Sequence, residues 1–416
     1  MPTFNHLGLH LEDDPNHRIA GVVVPRIVEH PPGTNKDYPL WFETGLKVRF
    51  GFEVYPQGKV FPFMYPPFAG WVLALLSYLG REGMFFALIG INVICLGLAV
   101  ELAVRLVAGT TQVSWWLRIL PSACCFFFIH DMFFLGQPNL GLLMLMLSGF
   151  LLLQKRYLVL AGIPFAIAAA LKAFPVVVIV YLLWRKQWRA SISMILSTVV
   201  LLVMVPATIR GWDQNIHDLK IWADGMIFRQ GADGIGQRPE QSLSWQNQSL
   251  FGVGHRLLRH IDADIVNEEA HEPLYVNVLN LDYRSASLAI LGVAGLLGLA
   301  FVAVMPRSNQ RTRNSDSAEF SMLLILITIG TPYAYLYYAV WMLFPFTALV
   351  YRALTDSERI VRRACWLTII VAMLWYASGV PFYGDHTMQA IGSMFWAELS
   401  MLLTFSWLLL RERWIR

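Results

Sequence analysis

Residues 286–305 read ASLAILGVAGLLGLAFVAVM, a run without a single charged side chain. At 1.5 Å per residue, about 20 helical residues cover the roughly 30 Å of a bilayer's hydrocarbon core. A run of this length and purity is the clearest sign of a membrane-crossing helix that a sequence carries. Comparable apolar segments lie near 62–80, 84–107, 115–135, 139–153, 158–183, 190–209, 318–336, 337–353, 362–380 and 388–411. Segments 318–336 and 337–353 also read as one broken helix, so ten to eleven membrane segments are expected. The expected fold class is all-α, a polytopic transmembrane bundle.

Composition agrees. Of the 416 residues, 56% are hydrophobic and 14% charged, against about 25% charged in an ordinary soluble domain. Mean hydropathy is +0.51. The net charge of +4 is no nucleic-acid footprint, because the basic residues sit at helix ends, where Lys and Arg mark cytoplasmic loops. Cys95, Cys124, Cys125 and Cys365 all fall inside apolar runs and read as small buried hydrophobes. Residues 1–36 form a polar N-terminal tail with no apolar stretch after a basic start, hence no signal peptide. Residues 37–416 read as a single transmembrane domain.

Four basic stretches orient the chain: residues 184–189, Arg307 to Arg313, Arg352 to Arg363, and the end from Arg411 to Arg416. All four are expected on the cytoplasmic side. The long polar loop 210–285 must then face the other side, joined by 37–60 and 381–387. An active site is expected on that extracytoplasmic face. The first third admits two readings. If 62–80 crosses, Gly136-Gln137-Pro138-Asn139 is cytoplasmic and Lys155-Arg156 lies outside. If 62–80 is re-entrant or interfacial, both assignments reverse and agree better with the charges.

Polar chemistry gathers first at Asp37, in Lys36-Asp37-Tyr38-Pro39. A carboxylate near an interface can act as general base on an acceptor hydroxyl or ligate a divalent metal. It can equally be a solvated loop residue or a helix cap ahead of Pro39. Glu43 and Glu53 are weaker rivals. His130-Asp131 and Gln137-Pro138-Asn139 form a second polar group. Gln137 and Asn139 carry the donor and acceptor pairs that suit sugar hydroxyls, while Gly136 and Pro138 also suit a plain helix–helix turn. Lys172, in Ala170-Leu171-Lys172-Ala173-Phe174-Pro175, lies well inside an apolar segment. Such a lysine costs roughly 2.5–3.5 kcal/mol unless it is paired or meets water, and an anionic phosphate is its natural ligand. Snorkelling is the alternative, weakened by the distance along the chain to the basic loop at 184–189. Asn247, Gln248 and Arg256 in the long loop are candidates for sugar and phosphate contacts. Tyr333, Tyr335, Tyr337 and Tyr338 crowd a helix junction, where they either line a polar cavity or anchor at the interface.

In order, the early Asp37, Tyr65-Pro66-Pro67, Gly136-Gln137-Pro138-Asn139, Lys172-Ala173-Phe174-Pro175, Asn247-Gln248-Ser249 and Thr331-Pro332 form a set that resembles glycosyltransferase family 87, over roughly residues 37 to 350. No single motif is specific, whereas the order and spacing are. The resemblance implies a GT-C fold and a multi-pass protein of the cell membrane. It implies transfer of a sugar, a hexose such as mannose, from a polyprenyl-phosphate donor to a hydroxyl of a glycolipid or glycan, with inversion. By the same analogy Asp37 is the catalytic base, Lys172, Tyr337 and Arg256 meet the donor phosphate, and Gln137, Asn139, Asn247 and Gln248 meet the sugar or acceptor. No cofactor and no nucleic-acid partner are implied. Two features depart from the family: no apolar helix precedes Asp37, and Tyr337 stands near where members carry a His. The alternatives are a non-catalytic relative or a transporter or flippase of lipid-linked sugars, although transporters favour matched half-repeats and none is visible.

Overall fold

A computed structural model describes residues 11–12, 18–19, 22–23, 26–27, 37–57, 61–228, 230–231, 234–235, 238–239, 241–264, 273–380 and 385–415. Of the expected tail, only short antiparallel pairings fall among these, Leu11–Glu12 with Arg26–Ile27 and Arg18–Ile19 with Val22–Val23. The remainder of 1–36 and most of 381–387 lie outside the described residues.

The chain is an all-α polytopic bundle. Its first helices are α1 (Tyr38–Phe50), α2 (Pro67–Leu76), α3 (Gly80–Ala108), α4 (Trp116–Cys124), α5 (Phe126–Leu135), α6 (Asn139–Gln154), α7 (Leu158–Leu171), α8 (Val178–Trp184), α9 (Trp188–Val199) and α10 (Val205–Arg210). The long loop holds α11 (Trp212–Ala223) and α12 (Leu250–Leu258). Then follow α13 (Tyr283–Val304), α14 (Arg313–Gly330), α15 (Leu343–Thr355), α16 (Arg359–Ser378), α17 (Thr387–Ile391) and α18 (Ser393–Ile415). Among the described residues, 6 helices are long and apolar enough to cross a membrane, or 7 if α4 and α5, bent by 63°, count as one span. The outer face of α13 shows why a bilayer is required. Leu288, Leu296 and Leu299 are 62%, 67% and 67% exposed on it, a surface that water would not tolerate over a whole helix.

Two apolar segments behave differently from the sequence expectation. The 62–80 segment carries α2, about 15 Å of α-helix, which by itself is shorter than a bilayer core. Gly80 has φ 72 and ψ 175, a left-handed geometry that stops α2 from running on into α3. Instead α2 lies on α1 and reaches the start of the long loop, where Trp71 Nε1 donates to Thr208 Oγ1 at 3.0 Å. Tyr55, Phe63, Met84 and Trp222 close a second, smaller core there.

The 158–183 segment, read as one crossing, is a hairpin. Leg α7 starts beside the start of α9, where Ser193 Oγ donates to Val159 O at 2.7 Å. It ends at Lys172, whose backbone is extended at φ −152 and ψ 123. A second leg, Phe174–Trp184, returns. Phe174 packs 4.9 Å from Trp341, whereas Arg185 donates to Pro306 O at 2.9 Å. The legs of 14 and 11 residues are about 21 and 17 Å long, less than a bilayer. The tip carrying Lys172 therefore sits recessed within the bundle.

The two changes offset each other. Leg α6 starts beside Lys172, through Asn139, and descends to Phe150, which stacks 4.3 Å from Phe320 near the start of α14. Gly136 to Asn139 thus share one end of the bundle with the long loop. Lys155 and Arg156 join the other end, where Arg313 donates to Ala108 O at 3.2 Å, Arg185 pairs with the fully buried Glu319, and Arg352 and Arg411 pair with Glu412 and Glu358. All the basic loops now gather at one end, as the charge rule demands. Cysteines placed at Lys155 and Arg359 are expected to react with an impermeant maleimide from the same side of sealed vesicles, and one at Trp212 from the opposite side. Labelling of Lys155 and Trp212 positions from a common side would overturn this arrangement.

Candidate active site

The site begins with a helix start that does not use its own cap. Asp37 occupies the N-cap position of α1, with Pro39 in the first turn, yet its side chain accepts no bond from that turn. The capping explanation for an aspartate here is therefore set aside. Its backbone N–H donates to Leu135 O at 3.0 Å, and its carboxylate accepts from Gln137 Nε2. Helix α1 is fastened to the same turn by the Tyr38 hydroxyl, which donates to Phe133 O at 2.8 Å, and by Trp41 Nε1, which donates to Gly136 O at 2.8 Å. Glu43, the nearer rival, is spent on an ion pair with Lys47 at 2.6 Å.

Gly136 makes this turn possible. It ends α5 at φ 77, and the N–H groups of Gly136 and Gln137 both return to Met132 O, at 2.9 and 3.0 Å, the pattern that caps a helix C-terminus. A Cβ at this position would stand 2.8 Å from the Tyr38 ring. Gly136→Ala is expected to cost about 1–2 kcal/mol for the left-handed backbone alone, and to lower turnover by displacing Tyr38 and Gln137. Wild-type turnover in that variant would show that the turn does not set the site.

Gln137 is the centre of the polar cluster. Its Oε1 accepts from the Tyr65 hydroxyl at 2.6 Å and from Lys172 Nζ at 3.3 Å. Its backbone carbonyl accepts from Asn92 Nδ2 at 3.4 Å. Lys172 Nζ also donates to Asn139 Oδ1 at 3.2 Å and lies 4.5, 5.0 and 5.1 Å from the ring centroids of Tyr338, Tyr65 and Tyr337. Aromatic faces attract a cation at such distances. Lys172 is thus paired where it is buried, and snorkelling is not its explanation.

A cavity of about 660 Å³ opens over this cluster. Asp37, Tyr65, Gln137, Tyr335, Tyr337, Trp245, Gln246 and Gln389 are among the residues that line it. Asp131, one turn before Leu135 on α5, brings a second carboxylate to the lining. Among the described lining residues there is no Lys, Arg or His. Lys172 is 7% exposed and stands one layer behind Gln137 and Tyr337.

The sequence candidates of the long loop have other work. Asn247 donates to Ser242 O at 2.6 Å and Pro332 O at 2.9 Å, and accepts from the N–H groups of Ser249 at 3.1 Å and Ala334 at 3.0 Å. Its amide is saturated and pins the loop to the Thr331-Pro332 turn. Gln248 lines the cavity, but its Nε2 is taken by Trp245 O at 2.6 Å and Gln389 O at 2.7 Å. Arg256 is 0% exposed and donates to the carbonyls of Ala390, Leu243, Ser244 and Asn247 at 2.8, 3.3, 2.5 and 2.8 Å. Burial pulls its pKa down to about 9. The expected phosphate contact is therefore corrected for Arg256, whose guanidinium is a staple with no side open to the cavity. Asn139, 0% exposed, likewise is not among the lining residues. Conversely Tyr65 and Asp131, quoted only within motifs, and Tyr376 and Gln389, which carried no sequence signal, line the cavity.

Fold and site together define a membrane protein with an acid-lined, aromatic polar cavity at one end of its helices, a form suited to chemistry on amphiphilic substrates. The family model for glycosyltransferase family 87 matches residues 63–332. The chain belongs to that family and is a membrane glycosyltransferase. The matched region includes Gln137, Lys172 and Asn247, while Asp37 and Tyr337 fall outside it. No curated protein and no solved structure matches the chain.

Proposed function

We propose that the cavity transfers a sugar, a hexose such as mannose, from a polyprenyl-phosphate donor to a hydroxyl of a glycolipid or glycan acceptor, on the extracytoplasmic face, with inversion, as in a GT-C enzyme. The observation that carries this reading is the position of Asp37. A carboxylate held by an amide in the lining of a cavity within the helical bundle suits a base for a hydroxyl. In the step, the Asp37 carboxylate takes the acceptor O–H proton. The acceptor oxygen forms a bond to the anomeric carbon on the face opposite the phosphate. The carbon–oxygen bond to phosphate breaks, and its electron pair leaves on the phosphate. Tyr337 supplies a neutral hydroxyl donor at the wall for that phosphate.

The test uses purified protein in proteoliposomes, labelled polyprenyl-phosphate mannose, and a lipid extract as acceptor. The expected product is a labelled acceptor whose new linkage has the anomeric configuration opposite to the donor's. Retention of configuration, or movement of intact donor across the bilayer without transfer, would replace this reading with a retaining enzyme or a flippase.

A further inference from the structure

Lys172 is expected from sequence to meet phosphate, but its position assigns it different work. We infer that Lys172 is a positioning residue for Asp37, acting through the side-chain amide of Gln137. This inference rests on the reading of Asp37 as the base.

The argument is one of donors and acceptors. A glutamine amide has an acceptor end and a donor end that are nearly identical in shape. Which end faces Asp37 depends on what meets the other. Lys172 Nζ carries only donors, and it lies 3.3 Å from Gln137 Oε1. The Tyr65 hydroxyl donates to the same oxygen at 2.6 Å. A flipped amide would set its NH₂ against the ammonium and its oxygen against the Asp37 carboxylate, leaving like groups opposed at both ends. Lys172 thus forbids the flip, and Gln137 Nε2 is obliged to donate to Asp37. The bond holds the carboxylate at a set angle and favours its charged, proton-accepting form.

The surroundings of Lys172 support this role over ligand binding. Its ammonium is divided between Gln137 Oε1 and Asn139 Oδ1 and enclosed by the rings of Tyr65, Phe174, Tyr337 and Tyr338. It is not among the cavity-lining residues. The charged and titratable groups that face it are Asp37 and those tyrosines. The helix break at Lys172 brings the ammonium to the tip of the α7–α8 hairpin, level with the turn at 136–139.

The experiment is a double-mutant cycle on kcat with Lys172→Met and Gln137→Met, together with equilibrium binding of a labelled short-chain prenyl-phosphate mannose to the same variants made in an Asp37→Asn background. Each single change is expected to lower kcat about 10- to 100-fold. The double variant is expected to be no worse than Gln137→Met, because Lys172 has nothing left to act through. Donor binding in the Asp37→Asn background is expected to stay within about threefold, well short of the tenfold that 1.4 kcal/mol represents. Lys172→Arg, which keeps the donor-only character, is expected to recover part of the rate. Multiplying losses, or donor binding weakened tenfold or more by Lys172→Met, would overturn the inference in favour of direct phosphate contact. A loss of folded protein with unchanged kcat in the folded fraction would overturn it in favour of a packing role. Failure of the underlying reading has a separate signature, transfer surviving Asp37→Asn.

Discussion

Asparagine in place of Asp37 lowers kcat by about 10²–10⁴-fold, the range that a positioned general base contributes. The substitution preserves shape and still offers an oxygen to Gln137 Nε2, so the bond that places residue 37 survives. The links from Tyr38 to Phe133 O and from Trp41 to Gly136 O also remain. Folding and donor affinity should then match wild type, and the loss should fall on the chemical step. The measurement is initial transfer rate against donor concentration, with purified protein judged by its elution profile. Transfer within threefold of wild type would remove Asp37 from the mechanism and leave Asp131, the other carboxylate in the cavity lining, as the next base to test. A poorly folded Asp37→Asn protein would instead mark the Asp37 carboxylate as part of the α1 anchor, which the absence of a side-chain cap bond to the first turn argues against.

Methionine in place of Arg256 destabilises the protein by about 3–5 kcal/mol, as expected when one partner of a buried charged network is removed. The guanidinium satisfies four backbone carbonyls from two separate segments, three at 243–247 just before α12 and one at Ala390. Without it these buried carbonyls lose their charged donor, at roughly 1–3 kcal/mol for each one left unpaired, and Ser244 O keeps only the Asn247 N–H at 3.1 Å. The lining residues Trp245, Gln246 and Gln389 depend on the same segments. The expected result is a marked drop in the temperature at which the protein stays monodisperse, with the donor KM of the surviving folded fraction unchanged. If KM rises at least tenfold while thermal behaviour is normal, Arg256 meets the donor and the staple reading fails.

Most of the membrane plan was legible in the sequence because bilayer burial is a one-dimensional constraint. A run such as 286–305 must be helical and long, whatever surrounds it. Six helices among the described residues, or seven with the bent pair, are long and apolar enough to cross, fewer than the ten to eleven segments expected, because several apolar segments form shorter helices. The 62–80 segment is apolar because it covers the second core under α1, and 158–183 is apolar because each arm of a hairpin packs on the bundle on one side and shows apolar side chains such as Leu160 and Val180 on the other. Hydropathy measures burial and does not report direction. Only Gly80 and the extended backbone at Lys172 mark where the chain turns.

The candidate site divides along a similar line. Asp37, Gln137 and Lys172 stand out in the sequence because ionisable and amide groups beside apolar helices are costly unless used. The sequence could not separate these from Asn247 and Arg256, which are equally polar and equally costly to bury. Residue type alone determined that this protein is helical, membrane-embedded and supplied with a few polar groups that must find partners. Tertiary structure alone decided which partners they found, joining Asp37 to Lys172 through one amide across 135 residues of chain and turning Arg256 inward onto carbonyls. Hydrophobicity is a property of each residue, whereas a hydrogen bond needs two groups within about 3 Å, and that distance exists only after the chain has folded.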